Sequence, residues 1–281
     1  MEQKNTQRLN KSWRRMAAAI FEKPVDGKVS GIHDLDMTYV GPAIEIWNSH
    51  GHKVTVMHVF MAVLARSLKD WAPEMNCYTQ WGDIVERKDV TVATTVLVGK
   101  DLTTVKIRNA DAKSVLELSL ETREYVEKRR QGQDDKALAK RHVLSMIPWP
   151  FRKWIFKGLR WLTYDWGWSI PNTGFDNDMF GSVLVSNIGA LKIDYGIPAL
   201  MPASNVSFVM ALGKVREKPV VKDGQVVVGS ILPIAGTFDH RIVDGYHISK
   251  MLECLVYYFD NPHELLNDAE RESMGIQLPP K

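Results

Sequence analysis

The clearest periodic signal lies between Thr55 and Trp71, where Val59, Phe60, Val63, Leu64 and Leu68 recur at helical spacing while Arg66, Lys69 and Asp70 fall elsewhere on the wheel. The same spacing runs through Ala112–Arg130 on Val115, Leu116, Leu118 and Tyr125, and through Tyr246–Phe259 on Ile248, Met251, Leu252 and Leu255. For the second of these helices Asn109 and Asp111 sit nearer the start than Ser114 and read as the better caps. Shorter helices are expected over 11–22, carrying Trp13, Met16, Ala17 and Ile20, and over 42–50. Strand-like runs of β-branched residues appear at 32–38, Val85–Glu86, Val90–Val98, Ser182–Ser186, Val206–Val215, Val226–Val228 and Leu232–Phe238. Lys222-Asp223-Gly224 has the chemistry of a hairpin turn. No repeat with a period of 20–50 residues is visible. The pattern predicts one α/β domain over residues 31–281, a largely β core flanked by helices, preceded by an arm and helix over residues 1–30.

Composition narrows the function classes. Lys and Arg total 36 against 33 Asp and Glu, so a formal charge of +3 gives no global case for nucleic-acid binding. Cys77 and Cys254 lie far apart and form neither a disulfide framework nor a Cys-x-x-Cys pair, which fits a reducing cytoplasm. The polar start has no apolar core behind it, so no secretory signal is expected, and no uninterrupted apolar stretch reaches spanning length. Motifs for a nucleophile elbow, a P-loop, a dinucleotide fold or a His-Glu-x-x-His metal site are missing, and no metal is expected.

The chemistry concentrates in Thr237-Phe238-Asp239-His240-Arg241-Ile242-Val243-Asp244-Gly245-Tyr246-His247. A strand ends, His240 and Asp244 stand four apart, and Gly245 permits a tight turn into a helix. An imidazole at such a turn, held by packing and by its own backbone carbonyl, keeps one ring nitrogen for accepting a proton, and an ordinary histidine pKa of about 6.5 suits general-base work. His33, His50, His52, His58, His142 and His263 lack such surroundings and read as ordinary surface or core residues, and His247 as a helix-surface or interface residue.

The segment Phe-Asp-His-Arg-Ile-Val-Asp-Gly resembles the signature of the dihydrolipoyl acyltransferases of 2-oxo-acid dehydrogenase complexes, and chloramphenicol acetyltransferase carries a related His-x-x-x-Asp-Gly. Val105-Lys106-Ile107-Arg108-Asn109-Ala110-Asp111 is similar to the family's Ile-Arg-Asn-Ala-Asp segment, and Val183-Leu184-Val185-Ser186-Asn187-Ile188-Gly189 to its Ser-Asn-Leu-Gly strand. The similarity covers roughly residues 53–130 and 180–266. It implies a chloramphenicol acetyltransferase-like sandwich with a mixed β-sheet flanked by helices, assembled as a homotrimer or a larger array of trimers. It also implies acyl transfer between a coenzyme A thioester and a thiol, dihydrolipoamide-like or other. His240 would be the base on one subunit and Ser186 the oxyanion donor on its neighbour. Asp244 would hold the loop, through Arg14 or Arg15, with Gly245 in support. Arg108, Asn109 and Asn187 are then candidates for the substrate channel.

Three departures qualify the resemblance. The chain has no room for the family's lipoyl domain, so a lipoyl group is expected only on a separate carrier protein; Asp135-Lys136-Ala137 is a chance match to the lipoyl-lysine tripeptide. Leu102-Thr103-Thr104-Val105 lacks the family's proline. An insertion over about 141–176 places Phe151, Trp154, Ile155, Leu159 and Leu162 at helical spacing beside Arg152, Lys153, Lys157 and Arg160, with Trp149, Trp161, Trp166 and Trp168 nearby and no acidic residue between Asp135 and Asp165. Packing on its own trimer, or docking of an acyl-carrier or lipoyl-carrier partner, is favoured over membrane contact through 150–168. A catalytically silent trimeric scaffold is the alternative to an active enzyme, although both His240 and Asp244 are retained.

Overall fold

The computed structural model describes residues 27–98, 101–130, 151–168, 178, 180–200 and 205–277. Nine strands and six α-helices occur among these. The strands are β1 (Lys28–Asp36), β2 (Cys77–Gln80), β3 (Asp83–Glu86), β4 (Val92–Val98), β5 (Asp101–Ile107), β6 (Val183–Asn187), β7 (Phe208–Leu212), β8 (Arg216–Lys222) and β9 (Gln225–Asp239). The helices are α1 (Val40–Ser49), α2 (Val56–Arg66), α3 (Val115–Arg130), α4 (Phe151–Tyr164), α5 (Gly245–Asp260) and α6 (Asp268–Ser273).

Seven strands form one mixed sheet in the order β1-β9-β7-β6-β4-β5, with β8 on the outer half of β9. β4, β6 and β7 run parallel; the remaining neighbours are antiparallel. The helical face of this sheet carries the core. Every residue of α2 from Met57 to Ala65 is buried, with Trp47 of α1 and Met251, Cys254, Leu255 and Phe259 of α5 packed around it. Alternation sorts the strands: Val183 and Val185 enter this core, whereas Leu184 joins Ala93, Val209 and Phe180 in a smaller cluster on the other face. Ser186 shares the face of Leu184, two positions on, and so stands away from the helices.

Several elements differ from the sequence reading. The two apolar runs at 226–228 and 232–238 are one fifteen-residue strand whose burial switches from exposed to buried near Gly229, so its two halves look unlike each other. β5 and β8 escaped the sequence pattern because both are polar; β8 carries Pro219 and alternating charges, which suit an edge. The Asp223-Gly224 hairpin is a two-residue turn with φ of 52° and 77°, as the left-handed pair of a type I′ turn requires. The predicted 55–71 helix is α up to Arg66 and a π turn over Ser67–Trp71. Ser114, set aside as a cap, is the N-cap of α3: its hydroxyl accepts from Glu117 N at 3.2 Å while Glu117 Oε2 accepts from Ser114 N at 2.7 Å. Asn109 instead makes the left-handed turn out of β5, at φ 50°, and Asp111 pairs with Lys69 at 3.0 Å.

Candidate active site

β9 ends at Asp239 and the chain turns sharply before α5. Ile242 N and Val243 N both donate to the Asp239 carbonyl, at 3.0 and 2.9 Å, which closes the turn around His240. The two residues flanking His240 lock the turn from below. Arg241 Nε donates to Asp239 Oδ1 and Oδ2 at 2.9 and 3.0 Å, and both side chains are buried. A buried pair with this fork geometry fixes orientation more surely than it adds stability. The Asp-x-Arg spacing astride the histidine is the sequence signal of this pair.

His240 itself is exposed in the protomer. Its Nδ1 lies 2.6 Å from the Val243 carbonyl, which can only accept, so Nδ1 carries the proton and Nε2 is left as the lone-pair nitrogen. The carbonyl is thus that of Val243, three residues on, and not the histidine's own as expected. The backbone geometry of an ordinary β-to-α turn brings that oxygen back under the ring.

Asp244 is the N-cap of α5. Its carboxylate accepts from Tyr246 N at 3.1 Å and His247 N at 3.4 Å. His247 completes a reciprocal cap: its Nδ1 lies 3.2 Å from Asp244 N and 2.8 Å from Asp244 Oδ1. His247 is therefore buried as a helix-start residue and is no surface residue. Arg14 and Arg15, the expected partners of Asp244, lie outside the described residues. Gly245 departs from expectation in another way. Its backbone is not in the left-handed region and a Cβ there would meet open space, so the protomer's turn does not demand glycine.

Ser186 is elsewhere. It aligns with Ala211 across β7, and Ala211 with Ala235 of β9, which lies five residues short of His240. At about 3.3 Å per residue and 4.8 Å per strand, the backbone positions of Ser186 and His240 in one protomer lie about 19 Å apart. Ser186 Oγ accepts a hydrogen bond from Thr95 Oγ1 at 3.0 Å across the β4–β6 ladder, which leaves its own proton for another acceptor. Thr95 was not singled out from the sequence; only the register of β4 against β6 makes it a neighbour of Ser186. The loop after Ser186 is pinned by close backbone approach, because a Cβ on Gly189 would collide with the Gly213 carbonyl and one on Gly213 with that of Asp194.

The channel candidates divide between the two ends of the sheet. Asn187 is beside Ser186, its Oδ1 accepting from Ala190 N at 3.1 Å. Arg108 and Asn109 are exposed just past β5, whose Ile107 pairs with Val92, at the end of the sheet where β9 delivers His240. Both cysteines are buried, and burial pushes the Cys254 thiol up to about 12, so it offers no thiolate. Among the described residues no cluster of three or more His, Cys, Asp or Glu could hold a metal ion, and no helix is long and apolar enough to cross a membrane.

Comparison with known proteins gives this geometry a context. A model of the 2-oxoacid dehydrogenases acyltransferase catalytic domain matches residues 1–137 and 176–267, leaving out most of the aromatic insertion. The mitochondrial dihydrolipoyllysine-residue succinyltransferase component of the 2-oxoglutarate dehydrogenase complex of Saccharomyces cerevisiae is 26% identical over 79% of this chain. The match spans 39% of that relative's length. The dihydrolipoamide acetyltransferase of Azotobacter vinelandii superposes with a TM-score of 0.61 at 18% identity, covering 91% of this chain and 89% of that one. In that enzyme a serine, a histidine and an asparagine four residues after the histidine have been investigated for their role in the catalytic mechanism. Chloramphenicol acetyltransferase superposes with a TM-score of 0.52 at 13% identity, over 89% of this chain and 97% of that one, and the architecture is that fold.

Proposed function

Because the chain belongs to the 2-oxoacid dehydrogenase acyltransferase family, matched over both ends of its sheet, we propose that it moves an acyl group between coenzyme A and a second thiol, with His240 as general base. The observation that carries this reading is the bond between His240 Nδ1 and the Val243 carbonyl, which presents Nε2 as a proton acceptor at an exposed sheet end. A thiol with a pKa near 8.5 is mostly protonated at neutral pH, and the thiolate is the nucleophile. Nε2 takes the thiol proton as sulfur attacks the thioester carbonyl. The new C–S bond forms while the carbonyl oxygen becomes an oxyanion. Collapse breaks the old C–S bond, and the departing thiolate recovers the proton from His240.

The oxyanion needs a hydrogen-bond donor. Ser186 fits that role from a neighbouring copy, since Thr95 already occupies its acceptor side and about 19 Å of sheet divides it from His240 within one chain. We therefore infer a homotrimer or larger assembly with the site between subunits. Coenzyme A or acyl-CoA would be one substrate, and a dihydrolipoamide-like thiol on a separate carrier the other.

Asp244 acts as a positioning residue. The Azotobacter vinelandii enzyme has an asparagine at the same spacing from its histidine. Asp and Asn side-chain oxygens are equivalent as N-cap acceptors, which supports a geometric duty in place of proton transfer.

The test is thioester exchange between acetyl-CoA and dihydrolipoamide by the purified full chain, compared with His240→Ala. Transfer that disappears in the variant, with particle mass and melting unchanged, is the expected result. Near-normal turnover by the variant would refute the assignment, and coenzyme A binding without exchange in the wild type would leave only an assembly core.

A further inference from the structure

We propose that α4 and the tryptophans around it dock this protein onto an anionic lipid bilayer. The face in question takes no part in the acyl-transfer site. On α4, the residues Phe151, Trp154, Ile155, Leu159, Trp161 and Leu162 share an arc of about 160° at 100° per residue. Four of these are exposed, Trp154 to 71%. Lys157 and positions 152, 153 and 160, all Lys or Arg, occupy the opposite arc, which they share with position 156 and, in the last turn, Thr163 and Tyr164. Thr163 and Tyr164 are buried, so the helix is fastened by its C-terminal end and presents its length outward.

A second segment meets this helix. Trp81 sits at the tip of the β2–β3 hairpin with φ 50°, a left-handed backbone that bulky residues seldom adopt, and the residue is 58% exposed. It meets Trp161 and Trp166 edge to face, with centroids 6.5 and 5.2 Å away, while Trp161 and Trp166 are 5.7 Å apart. Gln80 Nε2 donates to the Asp165 carbonyl at 3.3 Å and ties the hairpin to the helix end. Trp81, Trp161 and Trp166, remote in sequence, thus build one aromatic platform that is exposed among the described residues, and Trp168, two residues on, is 60% exposed.

Charge selects the occupant. From Lys136 to Tyr164 the chain holds no acidic residue, so α4 itself carries positive charge alone; Asp165 and Asp83 lie where the helix end meets the hairpin. An anionic headgroup layer complements that charge, and tryptophan rings belong at the boundary between headgroups and acyl chains. Fourteen residues of helix extend about 21 Å, too short to span a bilayer and suited to lying in its plane. A second copy would set the basic arc of one α4 against that of the other. The base of the β2–β3 hairpin lies toward the histidine end of the sheet. Arg87, next to β3, donates to the Asn205 carbonyl at 2.9 Å, and Ser207, two residues on, accepts from Asp239 N at 2.8 Å.

The test is flotation of the purified full chain with vesicles of phosphatidylcholine alone and of equimolar phosphatidylcholine and phosphatidylglycerol, at low and high salt. Flotation with the anionic vesicles only, abolished by salt, is expected. Trp154→Ser should then lower partitioning about ten-fold. Lys157→Glu should lower it about five-fold or more. Both variants should keep the wild-type melting temperature and particle mass. Absence of flotation with either vesicle overturns the proposal, as do variants that float like the wild type. A fall in particle mass in Trp154→Ser also overturns it and assigns the face to contact between copies.

Discussion

At the scale of single residues, the histidine was legible because its chemistry is local: a strand end, a turn and a helix start are written in consecutive letters. Ser186 was legible only through resemblance, and Thr95 not at all, since nothing in the sequence tells which strand pairs with which. The hydrogen bond between them makes a definite prediction. Ser186→Ala should slow transfer about 100-fold or more, as for loss of one oxyanion donor. Thr95→Val should slow it less, through kcat more than KM, because it removes only the orientation of that hydroxyl. Steady-state kinetics on both variants checks the order, and equal rates for Ser186→Ala and wild type would return Ser186 to a structural duty. His58 illustrates the other kind of histidine. Burial, and secondarily the charge of Arg123, lowers its pKa from 6.5 to about 4, while its Nδ1 accepts from Thr55 N at 3.0 Å. The neutral ring is the folded form, so the unfolded chain binds this proton first. Stability should therefore hold above pH 6.5 and decline as pH falls toward about 4, by at most about 3 kcal/mol from this group. His58→Gln keeps a capping acceptor and should flatten that part of a denaturation-versus-pH profile; an unchanged profile would discount the histidine.

At the scale of elements, helices with an apolar stripe were readable and their ends were not. The start of α3 shows why. Asn109 and Asp111 have the right chemistry for a cap, but a left-handed turn and an ion pair to Lys69 claim them, and the helix begins at Ser114. Strands β5 and β8 were missed because edge strands carry the polar and proline residues that discourage further pairing. The start of α5 carries the functional consequence. Asp244→Ala should cost about 1 kcal/mol as a lost N-cap and should lower the rate by loosening the turn under His240. Asp244→Asn should restore the melting temperature, since the amide oxygen accepts the same N–H groups. Paired thermal melts and rates decide the matter: a rate loss in Asp244→Ala with an unaltered melt would mean that the carboxylate touches the chemistry.

At the scale of the whole molecule, one sheet holds the two halves of the proposed site at opposite ends, His240 beyond the close of β9 and Ser186 at the far end of β6. The separation was legible only through the resemblance, which implies the two groups on neighbouring subunits; motifs read in order along the chain say nothing of distance across the sheet. On the proposed reading, a protomer whose base and oxyanion donor lie so far apart is half of a catalyst twice over, and a head-to-tail ring of copies would join the halves. The most direct measurement mixes two crippled chains, His240→Ala and Ser186→Ala, dissociated and reassembled together. Each retains the group the other lacks, so random reassembly should complete about a quarter of the interfaces and restore about a quarter of wild-type acyl transfer. A mixture no more active than the sum of its two parents would contradict the shared site.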